Sequence, residues 1–158
     1  MISRPGFRNI LSKLYTPFNK RCNLLKRGYR HAENIKLWQL RDQDPLPTYV
    51  RGRTVLIGDS AHAMTPHQGQ GGTQAVEDAE AFRLFLADNV TSADVPSILK
   101  DFDSVRRPRA SQIQDNTRKA TEQRTPEEVF SFAKYNWTYP GVIEGLKRVR
   151  AGEKLIQF

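Results

Sequence analysis

Apolar positions recur along this chain with two different spacings, and the changes between them outline its elements. Ile10, Leu14 and Phe18 lie four apart with Leu11 on the same face, which predicts one or two short helices over 7–26, broken near Pro17 and stopped at Gly28. Residues 35–40 (IKLWQL) carry the aromatic and branched side chains of a strand. From 41 to 53, Pro45, Pro47 and Gly52 interrupt any regular element, so this stretch reads as a loop. Residues 54–57 place Val55, Leu56 and Ile57 in succession without alternation. That pattern predicts a short strand buried on both faces, as in a parallel sheet.

A polar loop over 59–72 follows, with Pro66, Gly69, Gly71 and Gly72. Helical spacing then returns. Ala75, Val76, Ala79, Phe82 and Leu86 share one face of a predicted helix over 73–88. Glu77, Asp78 and Glu80 fall in its early part, where the helix dipole favours acid. A second helix is expected over 92–107, capped by Ser92 or Asp94, with Pro96 in its first turn and Ile98, Phe102 and Val105 as its stripe. Pro108 should break or kink it before a continuation over 109–121. Thr125-Pro-Glu-Glu128 is a capping-box pattern that opens a helix to about Lys134. Residues 136–141 read as a turn, and 142–150 as a short basic helix whose following tail frays.

Composition narrows the class. The chain has 158 residues, 38% of them hydrophobic, which suits one domain of ordinary size with a real core. No apolar run approaches a membrane span. The net charge is +8 and the basic residues cluster, as in Arg106-Arg107-Pro108-Arg109 and Lys147-Arg148-Val149-Arg150. Such clusters attract nucleic acid, anionic lipid or a negatively charged cofactor, but their commoner origin is a solvated basic face. No nucleic-acid-binding motif accompanies them, so no nucleic-acid partner is expected. Cys22 is the single cysteine, which excludes a disulfide within the chain and a cysteine-based zinc site. The first residues lack the apolar core of a secretory signal, and a cytoplasmic location is expected. Their basic bias, with no acid before Glu33, leaves a mitochondrial transit peptide as the lesser alternative to a basic amphipathic helix of the fold.

The chemistry concentrates between Thr54 and Phe85. A carboxylate such as Asp59 at the end of a buried strand can accept hydrogen bonds from a sugar or polyol hydroxyl. Its commoner role is to cap its own turn. Gly58 before it permits close approach of another backbone. Gly69-Gln70-Gly71-Gly72-Thr73 presents unpaired N–H groups at a helix start, where a ligand that gains negative charge is stabilised. The N1–C2=O edge of a flavin does so on reduction. The competing reading is an ordinary helix entry. Two further readings use the same residues. VLIGDS resembles the nucleophile block of GDS-type esterases, with Ser60 as nucleophile. That chemistry needs a histidine brought to the serine from a separate element, and His31, His62 and His67 are the only histidines. Asp59, His62 and His67 also lack an obvious fourth ligand for a metal, so no metal site is expected.

Taken together, residues 53–82, RTVLIGDSAHAMTPHQGQGGTQAVEDAEAF, resemble the second FAD-binding motif of the flavin-dependent aromatic-ring hydroxylases, and among them the fungal salicylate-hydroxylase-like monooxygenases. Gly58, Asp59, Ala61, His62, Pro66, Gly69, Gln70, Gly71, Asp78 and Ala79 carry the match. Weaker similarity extends upstream through Trp38, Leu40, Asp44, Pro45 and Leu46 and downstream through Arg106 to Arg109. The resemblance implies an α/β fold: the C-terminal part of a two-domain FAD-dependent hydroxylase, helix-rich with few strands. It implies three segments: 1–46 from a substrate-domain or connecting region, 47–122 from the FAD-binding domain, and 123–158 a C-terminal helical tail. It also implies FAD as cofactor, NADH or NADPH as reductant, O2 as co-substrate and a small aromatic molecule as substrate. Gly58, Asp59, Gly71, Gly72 and Thr73 would bind the cofactor. Within that set Asp59 would bond the ribityl chain, and the backbone at Gly71, Gly72 and Thr73 would hold the pyrimidine edge. Pro66 would lie near the flavin face where oxygen reacts. Trp38 and Leu40 would border the substrate pocket, or simply pack in the core, and His62 would be structural.

The sequence departs from the family pattern at Ser60, where alanine is commoner, and at Thr73, where asparagine is frequent. It contains no G-x-G-x-x-G unit for the ADP half of FAD and no middle Asp-Gly motif. The expectation is therefore the C-terminal portion of such an enzyme without its dinucleotide-binding βαβ unit. The alternative is a non-catalytic remnant or interaction fragment with weak or no flavin binding.

Overall fold

The long helix that the sequence divides at Pro108 is continuous. In the computed structural model, which describes residues 39–156, the order of elements is β1 (Val50–Arg51), β2 (Thr54–Val55), α1 (Asp59–His62), α2 (Gly71–Ala81), α3 (Val95–Arg118), α4 (Pro126–Trp137) and α5 (Val142–Arg150). Short 3-10 turns lie at Pro66–Gln68, Phe82–Leu86, Ser92–Asp94 and Lys119–Thr121. The helices expected over 7–26, the strand expected from 35 and Trp38 fall outside the described residues. Gln39 and Leu40 have no regular structure.

β1 and β2 form an antiparallel hairpin in which Val50 faces Val55 and Arg51 faces Thr54. Gly52 turns it at φ 60°, a left-handed angle that costs glycine little. This corrects two expectations. The loop over 41–53 contains a strand, and the strand at Thr54 is neither parallel nor buried on both faces. It pairs with its own sequence neighbour because Gly52 lets the chain reverse at once. Leu56 and Ile57 emerge exposed beyond the ladder.

α3 supplies the centre. Phe102, Val105, Ala110 and Ile113 are completely buried along it, and the first three join Tyr49, Ala61, Ala81, Val142 and Leu146 in one core cluster. Pro108 lies inside α3 without ending it. A missing N–H and a ring clash cost about 3 kcal/mol in a helix interior. Burial of the side chains on both sides of Pro108 offsets that, since helices in proteins owe most of their stability to packing. Asp94 stands at the N-cap position of α3 but makes no side-chain cap bond to it; its Oδ2 closes the preceding 3-10 turn instead, accepting from Thr91 N at 2.8 Å and Thr91 Oγ1 at 2.6 Å.

α4 opens as its sequence predicts. Thr125 N donates to Glu128 Oε2 at 2.9 Å, Glu128 N donates back to Thr125 Oγ1 at 3.2 Å, and Pro126 occupies the first turn. The helix runs one turn past Lys134. α5 has the predicted bounds and packs on α3 so closely that a Cβ on Gly145 would lie 2.9 Å from Val105 Cγ1.

α2 departs most from the pattern. It starts at Gly71 and gives way to a 3-10 turn at Phe82. Its buried residues are Gln74, Glu77, Asp78 and Ala81. Val76 is 69% exposed and Leu86, beyond the helix, 78%, so the apolar stripe expected inside faces outward. Glu77 and Asp78 lie past the first turn and are not dipole-stabilising acids. They turn inward because α3 offers them two arginines. Among the described residues no helix is long and apolar enough to cross a membrane.

Candidate functional site

Four short elements converge on one exposed loop system. β2 delivers the chain to Gly58, which adopts φ 58°, an angle that only glycine takes readily. Its carbonyl accepts from Ala61 N at 2.9 Å and His62 N at 3.0 Å, closing α1. Asp59 opens α1 and is exposed, and its carboxylate makes no hydrogen bond or ion pair among the described residues. Ser60 Oγ donates to Ile57 O at 2.7 Å. The nearby His62 ring is fully buried and committed to Asp78. Among the described residues the serine–histidine pairing of an esterase is not formed.

The loop after α1 is pinned from beneath. Ala63 O accepts from Gln43 N and from Gln114 Nε2 of α3, each at 3.2 Å. Gln68 Oε1 accepts from Asn136 Nδ2 of α4 at 3.1 Å. These bonds leave Pro66 exposed at the start of a 3-10 turn that ends in Gly69, at φ 64°.

α2 then begins without a side-chain cap or an acid in its first turn. The first intrahelical bond is Gln74 N to Gln70 O at 2.9 Å. The N–H groups of Gly71, Gly72 and Thr73 therefore precede any helical acceptor. A Cβ on Gly71 or Gly72 would meet nothing within 4 Å, so the face in front of these groups is open. Gly58, Asp59, Pro66, Gly71, Gly72 and Thr73 thus lie along one stretch of turns and helix starts. Leu40, 71% exposed in irregular chain, is not a core residue, and Trp38 lies outside the described residues.

Beneath the loop is a charged network that the hydrophobic pattern does not reveal. Asp78 Oδ2 accepts from Gly58 N at 2.8 Å and lies 2.7 Å from His62 Nε2. Asp78 Oδ1 accepts from Arg106 Nε at 2.9 Å. Arg106 also donates to Glu77 and to Gln74 Oε1. Arg109 donates to both oxygens of Glu77 and to Tyr135 O and Asn136 O. The rings of Tyr135 and Tyr139 lie 5.2 and 5.0 Å from its guanidinium carbon, within cation–π range. Both arginines are fully buried, which corrects the reading of Arg106–Arg109 as a solvated basic face. The available sequence signal was two adjacent acids on one helix and two arginines three apart on another.

Burial opposes the charge on Asp78. The hydrogen bond from His62 and the charge of Arg106 outweigh it and hold the carboxyl below its ordinary value. An ionised carboxylate only accepts, so the proton of the His62 pair sits on Nε2. Arg106 is likewise held above its ordinary value: burial would lower it, and Glu77 and Asp78 prevail.

Known proteins resemble this chain over the stretch that carries the loop system. A family profile described as "FAD binding domain" matches residues 26–117. The chain is similar to a salicylate hydroxylase of Pseudomonas putida, with 48% identity over 82 residues, covering 51% of this chain and 19% of that protein. It is similar to 3-hydroxybenzoate 6-hydroxylase 1 of Aquipseudomonas alcaligenes, with 34% identity over 113 residues, covering 72% of this chain and 27% of that protein. A crystal structure of FqzB overlaps 73% of this chain and 31% of its own, at 29% identity and a TM-score of 0.48. The chain thus spans between 19% and 27% of the length of these two curated relatives.

Proposed function

The chain belongs to the FAD-binding domain family, and from that premise we propose that Gly58 to Thr73 form the flavin-facing side of an FAD site in a monooxygenase. The enzyme would take its electrons from NADH or NADPH and hydroxylate a small aromatic molecule with O2. The observation that carries the reading is the open, uncapped start of α2 at Gly71–Thr73, in one loop system with the Asp59 carboxylate, which has no partner among the described residues.

The residues present fit the group. Three N–H groups without helical acceptors suit the electron-rich pyrimidine edge of a flavin, and the helix start carries about half a positive charge. Gly71 and Gly72 admit a flat ring where a side chain would obstruct it. Asp59, exposed and without a side-chain partner among the described residues, suits the hydroxyls of a ribityl chain. Pro66 borders the same loop and removes a competing N–H from it. The flavin, when bound, supplies the redox chemistry and the reaction with oxygen. The chain's part is to bind it, orient it and stabilise negative charge at its pyrimidine edge. The names of the relatives support an aromatic acid as substrate, salicylate and 3-hydroxybenzoate being the named examples.

Purified protein titrated with FAD, followed by flavin fluorescence and visible absorption, tests the reading. Saturable binding is expected, and Asp59→Ala should weaken it about tenfold or more, the loss of a hydrogen bond to a charged group. Absence of binding by the wild-type chain, or an unchanged affinity in Asp59→Ala, overturns the site assignment. NAD(P)H oxidation with aromatic acids then tests the reaction.

A further inference from the structure

The Asp59 carboxylate makes no hydrogen bond or ion pair among the described residues, so the turn that presents it is held by its own backbone bonds and by what lies beneath it. We infer that Asp78 and His62 are positioning residues that clamp the Gly58–Asp59 turn from beneath, an inference that rests on the flavin reading for its functional consequence. One carboxylate oxygen, Asp78 Oδ2, receives Gly58 N at 2.8 Å and His62 Nε2 at 2.7 Å. Gly58 precedes α1 and His62 ends it. A single atom therefore fastens both ends of the turn that presents Asp59.

The clamp is itself anchored. Arg106 Nε, from the middle of α3, holds the second oxygen of Asp78 at 2.9 Å. His62 is 0% exposed, Asp78 1% and Arg106 0%. With water excluded, these charge-assisted bonds are strong and directional. Gly58 has no side chain with which to hold its left-handed angle, and its N–H bond to Asp78 supplies that restraint. Packing alone would not require this arrangement, because an apolar residue of similar size fills a core site as well as a histidine does.

The test uses the full chain and two readouts: amide hydrogen exchange over residues 58–62 without flavin, and FAD affinity by fluorescence titration. His62→Leu and Asp78→Asn are expected to speed exchange in α1 and to weaken FAD binding, each about tenfold or more. His62→Gln, whose side-chain N–H can reach the place of Nε2, should restore most of both. Arg109→Lys, which loosens the same buried network away from the turn, should lower the unfolding midpoint and leave exchange over 58–62 as in the wild type. If Asp78→Asn fails to fold, the two His62 variants decide the matter, since both leave Asp78 paired with Arg106. Wild-type exchange and affinity in His62→Leu would overturn the clamp, as would equal loosening of the turn by Arg109→Lys. A wild-type chain that binds no FAD would remove the flavin reading alone, with the exchange rates still deciding whether the clamp exists.

Discussion

Arg109 grips Glu77 with two nitrogens, Nε on Oε2 at 2.7 Å and Nη2 on Oε1 at 2.8 Å. The planar fork of a guanidinium matches a carboxylate in this way, and an ammonium group does not. Arg109→Lys should therefore keep the charge and lose the paired bonds, together with those to the carbonyls of Tyr135 and Asn136. A loss of about 1–3 kcal/mol is expected, read as a lower urea midpoint at unchanged slope.

Asp78 sets an acid limit to stability. Its carboxyl is held below the ordinary value of 3.8 in the folded chain, so the fold binds this proton more weakly than the unfolded chain does. The stabilisation is complete above that ordinary value and disappears as pH falls through the folded one. Urea midpoints should drop as pH falls below about 4, and Asp78→Asn should lessen that slope while lowering stability at neutral pH.

Tyr49 sets an opposite limit. Burial pushes its hydroxyl up to about 12 from 10.0, so the fold retains this proton more firmly than the unfolded chain. Its contribution is present below pH 10 and is lost as pH rises toward the folded value. Burial raises Tyr139 in the same direction. Tyr49→Phe should reduce the alkaline slope of stability, and an unchanged slope would remove Tyr49 as its source.

Gly145 is a packing limit. A Cβ there would lie 2.9 Å from Val105 Cγ1 and 2.7 Å from Leu155 Cδ1. Val105 is branched and completely buried, so it cannot simply turn aside. Gly145→Ala should destabilise by about 1–3 kcal/mol, despite the better helix propensity of alanine. A stabilised variant would mean that α5 shifts freely on α3.

Thr125→Ala should remove one half of the reciprocal cap and cost about 1 kcal/mol. Because Thr125 and Glu128 are exposed, the loss should appear as faster amide exchange in the first turn of α4, with α3 unchanged.

These elements differ in how far the sequence discloses them. The cap at Thr125 and the bounds of α5 depend on residues three or four apart, so the linear pattern contains the whole interaction. The glycine turns at Gly58 and Gly69 are legible for the same reason: their backbone angles are positive and few other residues adopt them. The series from Gly58 to Thr73 points to its family through residue identity over one continuous stretch. The buried face of α2 is a different case. Counting apolar residues favours Ala75, Val76 and Ala79, yet Glu77 and Asp78 are inside, because the charges that make their burial tolerable lie 28 to 32 residues away on α3. A buried carboxylate is costly alone and acceptable beside an arginine, and no local pattern records which arginine will stand there. The loop's identity is thus written along the chain, while the bonds that fasten Gly58 and His62 to Asp78, and Asp78 to Arg106, belong to a charged core that exists only once α2 and α3 have met.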